Sequence, residues 1–356
     1  MAFNQEKIQE LYPEAKMYSA MKINKGTDEL LKKVCESGTA FGQIKKDGYW
    51  YQFEKHEHYS YLFSRSASTV TKLQSEKSAN VPHIMKALSV LPKDTILIGE
   101  IYYPGGSSKT VTTIMGCLPK KAIERQNGKS GLIHYYIHDI IMFNGLDFVK
   151  NKVSNYDRYR ILKKIFEKYN LANDYIELAE AWTDNLYSRV GTALAAGEEG
   201  MVIKVKDGIY EPDKRPLTML KAKKVDFIDA VIIGFEEPTK EYYGKEIQNW
   251  NYWMQNENGQ PIAVTKPYYM GWHNSRIKIG AYNNKGILVE IGTIHSGISD
   301  EMKEDMTNNP NKYLNKVCSI QCMELDKKEH TIRHGFFKYM RDDKDIIDCQ
   351  IEDIFK

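Results

Sequence analysis

The spacing of apolar and polar positions changes period repeatedly along the chain. From Gly38 to Ala67, GTAFGQIKKDGYWYQFEKHEHYSYLFSRSA is rich in Tyr and Phe and predicts three short strands, broken at Asp47-Gly48 and near His56 to His58. VPHIMKALSVLP has helical spacing and TILIGEIYY strand spacing. SKTVTTIMGCLPKKAIERQNG reads as mostly helix, and LIHYYIHDIIMF as a buried strand. Asn155 to Tyr169 is spaced as a helix with Asn155 as its cap, and YIELAEAW as a strand; a further helix runs to about Ala196 before the strands EGMVIKV and LTMLKAK. After Lys224 the character shifts. DAVIIGF and GILVEIGTI are apolar strands separated by a polar, aromatic stretch from Pro238 to Asn284, and one helix is expected near Ser299 to Asn308, a pattern that fits a small β-barrel. The boundary therefore falls near residue 225, giving domains 1–225 and 226–356.

With 42% hydrophobic and 27% charged residues, a chain of 356 has enough apolar material for two packed cores, which excludes disorder as the main state. Its net charge of +3 hides two unlike parts. Residues 226–356 carry 16 Lys+Arg against 21 Asp+Glu, or −5, and residues 1–225 carry 34 against 26, or +8. Such an asymmetry would direct any salt-sensitive binding of a polyanion mainly to residues 1–225. The five Cys form no C-x2-C pair, so neither a zinc ribbon nor a disulfide framework is indicated and a reducing compartment fits. The first residues lack a signal-peptide pattern and no apolar run approaches membrane-spanning length, so an intracellular, cytoplasmic protein with no membrane partner is expected.

Candidate chemistry collects at strand ends. Lys45-Lys46-Asp47-Gly48 puts an amine at the end of a strand before a tight turn, where neighbouring cations can depress its pKa and make it nucleophilic. Alone, so short a motif reads more readily as a solvated hairpin turn. Weight comes from Glu100 ending TILIGE, Glu199 opening EGMVIK, and Lys221 and Lys223 ending a third strand. Two carboxylates can hold a divalent cation while lysines neutralise phosphate oxygens, a combination suited to phosphoryl transfer. Other features are blander. PGGSSKT lacks the Gly before Lys of a phosphate loop, and the His56 and His58 pair has no nearby metal-ligating set. Asp139 reads as a structural carboxylate in preference to a metal ligand. The aromatic cluster from Tyr242 to Trp272 reads as barrel core or an ordered insertion in preference to a base-stacking platform.

These motifs, in this order, resemble the covalent nucleotidyltransferase superfamily, and within it the ATP-dependent DNA ligases of the compact phage and viral kind. The resemblance runs from about Gln43 to Cys349. K-x-D-G matches at Lys45, Asp47 and Gly48, S-R at Ser64-Arg65, E-G-x-V-x-K at Glu199 to Lys204, and R-x-D-K at Arg341 to Lys344. Tyr210, Lys214 and Arg215 followed by Lys221 and Lys223 reproduce the spacing of the fifth motif. The implied fold is α+β: a nucleotidyltransferase (adenylation) domain of packed antiparallel sheets and helices, followed by an OB-fold barrel. The implied activity is the sealing of 5′-phosphate/3′-OH nicks in duplex DNA through a covalent Lys45–AMP, by a monomer using ATP and Mg2+ or Mn2+. A phage-infected bacterial cell is a setting that agrees with the resemblance.

By the same resemblance Lys45 is the nucleophile. Gln43, Ile44, Arg65, Glu100, His138, Glu199, Lys221, Lys223, Arg341 and Lys344 contact the nucleotide, Glu100 and Glu199 hold metal, and Lys46, Arg65, Lys204 and Arg215 contact nucleic acid. Gln43 is placed to read the adenine edge. Arg341 and Lys344 are needed near the pyrophosphate and must leave before a nick can enter, so domain rotation is implied. Two departures stand out: Trp50 where K-x-D-G-x-R has Arg, and His138 where a Phe stacks on adenine. Met219 also stands where the family often has Trp. An mRNA-capping guanylyltransferase, an RNA ligase and a non-catalytic nucleic-acid-binding derivative remain the alternatives. An NAD-dependent ligase is disfavoured by the short stretch before Lys45 and by the absence of zinc-type cysteines.

Overall fold

The computed structural model describes residues 5–68, 71–127, 131–223, 226–244, 246–322 and 324–355. The chain divides into two compact units, Met1–Lys223 and Lys224–Lys356.

The first unit has ten strands among its described residues: β1 (Ala40–Lys45), β2 (Gly48–Lys55), β3 (Ser60–Ala67), β4 (Gln74–Glu76), β5 (Thr95–Tyr102), β6 (His134–Phe143), β7 (Leu146–Asp147), β8 (Ile176–Leu178), β9 (Gly200–Val205) and β10 (Met219–Lys223). They form two sheets. The smaller is antiparallel in the order β1-β9-β10, and the larger runs β4-β3-β2-β5-β6-β7, with β8 pairing parallel to β6. Period-two alternation gives β5, inside the large sheet, two apolar faces. Leu97 and Ile101 of β5 point into a core shared with the helices Pro82–Leu88, Ser108–Met115 and Asn155–Tyr169. Ile96 and Ile98 point the other way, joining Met219 of the small sheet, Met21 and Tyr210 in a second core between the sheets. The far side of the small sheet is closed by the helices Asp28–Glu36 and Leu186–Ala195, through Cys35, Leu186, Val190, Met201 and Ile203.

Local chemistry moved several expected boundaries. The helix Asn155–Tyr169 is capped by Ser154, whose hydroxyl accepts from Asp157 N; Asn155 is buried inside the first turn, where its amide donates to Val205 O. Of YIELAEAW only Ile176–Leu178 is strand. The long helical stretch after Ser107 is two helices, Ser108–Met115 and Pro119–Gln126, because Gly116 ends one and Pro119 starts the next. Asp47 caps the first, its carboxylate accepting from Ser108 N at 3.0 Å, so PGGSSKT is a loop leading into a helix.

One buried ion pair ties the large sheet to its longest helix. Arg158 is wholly buried and forks onto Asp139 of β6, Nε to Oδ1 at 2.8 Å and Nη2 to Oδ2 at 2.9 Å, with Asn155 Oδ1 and Val153 O taking further guanidinium protons. The guanidinium holds the Asp139 carboxyl down at about 2 despite its burial.

In the second unit β11 (Asp226–Glu236), β14 (Arg276–Tyr282), β15 (Leu288–Ile294), β16 (Val317–Cys322) and β19 (Phe336–Met340) make an antiparallel sheet in the order β15-β14-β11-β16-β19. Two hairpins flank it, β12 (Trp253–Gln255) with β13 (Pro261–Ala263) and β17 (Glu324–Asp326) with β18 (Thr331–Arg333). The helix Asp300–Asn308, capped by Ser299, buries Met306 on Ile228, Ile279 and Ile320. The aromatic stretch after Pro238 is an ordered insertion held by its own rings: Trp250 stacks on Tyr242 at 3.5 Å between centroids and donates its indole N–H to Val264 O. Among the described residues no helix is long and apolar enough to cross a membrane.

Removing Asp139 leaves Arg158 as an uncompensated buried charge, so Asp139→Ala should cost about 3–5 kcal/mol, whereas replacing both partners by apolar residues should recover much of that loss. The Asp139 carboxyl titrates lower in the folded state than its ordinary 3.8, so its stabilisation is present above that value and is lost as pH falls through about 2. Urea unfolding of the three proteins reads the cost directly, and a loss below about 1 kcal/mol for the single variant would contradict the assignment.

Candidate functional site

The site grows from register. In the small sheet Lys45 of β1 faces Gly200 of β9, which faces Lys223 of β10; the next row on the same face is Gln43, Val202 and Lys221, and the next Phe41, Lys204 and Met219. Strand alternation therefore brings Gln43, Lys45, Lys221 and Lys223 to one surface. It also turns Ile44 to the other face, where its side chain packs with the helices against Met201's cluster. The Ile44 side chain is thus turned away from Gln43 and Lys45, which leaves its main chain on the side of the expected nucleotide contact.

Glu199 closes the end of the surface. Its Oε2 lies 2.5 Å from Lys45 Nζ and its Oε1 pairs with Lys223, so one carboxylate bridges two ammonium groups from different strands. Gly200 makes the bridge possible. Its φ is +140°, and a Cβ there would sit 1.9 Å from Ala222 O, so only glycine lets β9 pass this close to β10. Burial lowers the Lys45 amine below the usual lysine range, more than Glu100 and Asp47 raise it. Lys221 is lowered too, by burial and then by the charges of Lys45, Arg215, Lys25 and Arg65, which marks a concentration of positive charge on this face.

Glu100 comes from the large sheet. Burial pushes its carboxyl up to about 7, against the pull of Lys45 and Arg65. Trp50 stands directly across from it on β2 and is partly buried in the core between the sheets. Where the resembled motif has an arginine, this chain has an apolar ring beside the carboxylate, which contributes to that desolvation. Gly48 is dictated by the same pairing, since a Cβ would meet Ile101 O at 2.2 Å.

His138 sits at a bulge. Ile98 pairs with Asp139 and Gly99 with Ile137, which leaves His138 as the extra residue of β6. Its imidazole is driven down to about 3 by burial and by Lys204, so the ring is neutral, and its Nδ1 is buried with no protein partner. Gln43 has a matching feature: Nε2 donates to Ala179 O at 2.9 Å, while the buried Oε1 has no partner.

The four residues expected to contact nucleic acid stand in different surroundings. Lys46 is engaged by Glu198 at 2.9 Å and lies over the rings of Tyr102 and Tyr136 at 5.3 and 5.7 Å, so its ammonium is held in a cage. Lys204 is only 4% exposed, pushed down to about 8 by burial, and donates to His138 O at 3.1 Å. It holds the bulge; a surface contact with nucleic acid is not its geometry. Arg65 is exposed, and the Arg215 guanidinium donates to Ile23 O at 3.0 Å. In the second unit Arg341 and Lys344 share Asp229, and Arg341 also forks onto Asp343. Sequence reasoning missed Glu198, Lys25 and Asp229. The doubled Glu198-Glu199 beside doubled Lys45-Lys46 was a usable signal for the first; the other two belong to no motif.

Comparison with known proteins converges on one family. The model of the ATP dependent DNA ligase domain matches residues 19–223, more than half of the chain. The chain belongs to the ATP-dependent DNA ligase family. Among curated relatives, the DNA ligase of Methanocorpusculum labreanum is 23% identical over 327 residues, covering 88% of this chain and 54% of the relative. That of vaccinia virus (strain Ankara) is 27% identical over 217 residues, covering 58% and 36%. This ligase-family chain thus spans about half or less of the length of the curated relatives it matches. In fold it is similar to the solved structure Pmar-Lig_PreS3, with TM-score 0.64, 19% identity and coverage of 94% of this chain and 71% of that one. A second solved structure, described as "DNA binding with a minimal scaffold: Structure-function analysis of Lig E DNA ligases", has TM-score 0.55 and 12% identity, covering 92% and 100%. Both likenesses support the expected α+β class.

Because the Lys45 amine is lowered, it should react with an amine-selective acylating reagent at a lower pH than exposed lysines do. The Glu100 carboxylate raises Lys45, so Glu100→Gln should move that profile lower still. Mass spectrometry of the labelled peptides across pH checks both directions, and a Lys45 profile that follows the surface lysines would refute the reading.

Proposed function

We propose that the chain is an ATP-dependent DNA ligase that seals 5′-phosphate/3′-OH nicks in duplex DNA by way of Lys45–AMP. The observation that carries this reading is a lysine amine of lowered pKa, bonded to Glu199 at a strand end and flanked by Lys221 and Lys223. Such an amine, once deprotonated, attacks the α-phosphorus of ATP. A nitrogen–phosphorus bond forms, the bond to pyrophosphate breaks, and Lys221 and Lys223 neutralise the charge gathering on the phosphate oxygens. AMP then passes to the 5′-phosphate of the nick, and attack by the 3′-OH expels it as the backbone closes. Arg341 and Lys344 are the cations assigned to the leaving pyrophosphate.

One buried, unpartnered atom supports adenine as the base. Gln43 Nε2 is committed to Ala179 O, which leaves Oε1 as an acceptor for the adenine amino group. Guanine would present a carbonyl at that position, acceptor against acceptor, with the loss that an unpaired buried polar group brings. The His138 ring, neutral at working pH, offers a flat partner for the base.

Glu100 and Glu199 would hold a divalent cation through their hard oxygens together with substrate phosphates, Glu199 exchanging the ammonium groups of Lys45 and Lys223 for the metal. A bound Mg2+ or Mn2+ would supply charge against the triphosphate. Nicked duplex DNA is the proposed partner, met by the +8 of residues 1–225, and a monomer in the cytoplasm is the proposed form.

Incubation with α-labelled ATP and Mg2+ should give an acid-stable label on the protein that Lys45→Ala abolishes. Labelling from GTP in preference to ATP would favour a capping guanylyltransferase, and sealing of nicked RNA but not nicked DNA would favour an RNA ligase. A Lys45→Ala protein that still seals nicks from ATP would falsify the mechanism. Trp50→Arg restores the cation of K-x-D-G-x-R and should tighten binding to nicked DNA; unchanged binding would mean that another cation already fills that role.

A further inference from the structure

We infer that Asp229 is the positioning residue for Arg341 and Lys344, gathering the two cations into one phosphate-binding unit. This inference rests on the proposed use of a nucleoside triphosphate and adds to it a residue outside every motif of the resemblance. Asp229 lies on β11, the central strand of its sheet, level with Ser319 on β16 and, through it, with Tyr339 on β19. Its position is therefore fixed by the β16 ladder, two residues before the β14 ladder begins at Val231. Its side chain is 16% exposed, and Oδ2 accepts from both Arg341 Nη1, at 2.8 Å, and Lys344 Nζ, at 3.1 Å. Two like charges three residues apart would splay into solvent if left alone. A single carboxylate oxygen between them makes their side-by-side arrangement favourable.

Arg341 has a second carboxylate partner of a different kind. Asp343 takes Nε at 2.7 Å and Nη2 at 2.9 Å, yet it is 71% exposed and sits in the same short turn. The backbone of Arg341 is anchored separately, its N–H donating to Val317 O at 2.8 Å. The guanidinium thus has a rigid partner inside the sheet and an exposed fork-shaped partner outside it. The outer face, Nε with Nη2, has the geometry that a phosphate takes bidentately, so an incoming polyphosphate would displace Asp343 while Asp229 keeps both cations aimed. Pre-set aim of this kind is what a positioning group contributes to a charged transition state.

The inference makes a prediction opposite in sign to simple electrostatics. Deleting an acid near two cations should tighten anion binding if Asp229 contributes only its charge. If it positions them, binding should weaken. In the full chain, the Nε–H resonance of Arg341 is followed by NMR during titration with pyrophosphate. Asp229→Asn is expected to weaken binding at Arg341 by about tenfold, Asp229→Glu to restore part of it, and Asp343→Asn to bind at least as tightly as wild type. In the same proteins, Asp229→Asn should raise KM for ATP in Lys45 labelling more than it lowers kcat, with sealing of a pre-adenylated nick unchanged. Tighter or unchanged pyrophosphate binding in Asp229→Asn overturns the inference, as does an Asp229→Glu protein no better than Asp229→Asn. Should Asp229→Asn not fold, Asp229→Glu and Asp343→Asn carry the comparison, and weaker binding in Asp343→Asn than in Asp229→Glu overturns it. Wild type that takes no label from ATP, yet shows the predicted order of pyrophosphate affinities, would remove the ligase reading and leave this one standing.

Discussion

The site is organised around one carboxylate shared by two ammonium groups. Glu199 pairs with Lys45 and Lys223, and those lysines end the two outer strands of a sheet whose middle strand begins at Gly200. Without that bridge, cations at the ends of β1 and β10 would repel across a partly buried gap, and the strand ends would separate. The glycine is as necessary as the acid. Its positive φ and the absent Cβ let the strands approach until one carboxylate spans both partners.

Around this bridge the surroundings separate the ionisation of neighbouring groups. Burial lowers Lys45 and raises Glu100, so an amine shifted towards release of its proton and a carboxyl poised near neutrality share one face. Asp139 is the counter-example. It is buried just as deeply on β6, but the Arg158 fork keeps it charged, and it serves the frame. A buried charge partner thus separates the carboxyl pushed towards neutrality from the carboxylate that holds the frame. Lys204 belongs with the second kind, since its amine secures the bulge that displays His138.

The two units solve a similar problem with opposite charge balance. The first concentrates cations at strand ends within a domain of net +8 and restrains them with Glu198 and Glu199. The second carries −5 and keeps Arg341 and Lys344 clustered by surrounding them with Asp229 and Asp343. The whole-chain value of +3 describes neither, which is why it carries so little information about a polyanionic partner.

Much of the architecture was legible in the sequence because period-two and helical spacing are local. The breaks at Asp47-Gly48 and near His56 to His58, the helix Asn155–Tyr169 and the strand pair of EGMVIKV and LTMLKAK all follow from neighbours within a few residues. The motifs named Lys45, Glu100, Glu199, Lys221 and Lys223 as a group, since strand-end chemistry leaves short fixed spacings. What depended on tertiary structure was which groups meet. Lys46 finds Glu198 from 152 residues away, Lys204 turns inward to His138, Ile44 faces the helices, and Asp229 reaches Arg341 across 112 residues. The reason is physical: a side chain's burial, and with it its charge state and availability, is set by strands paired from distant parts of the chain. Spacing specifies the list of reactive groups. Packing decides which of them remain free to react.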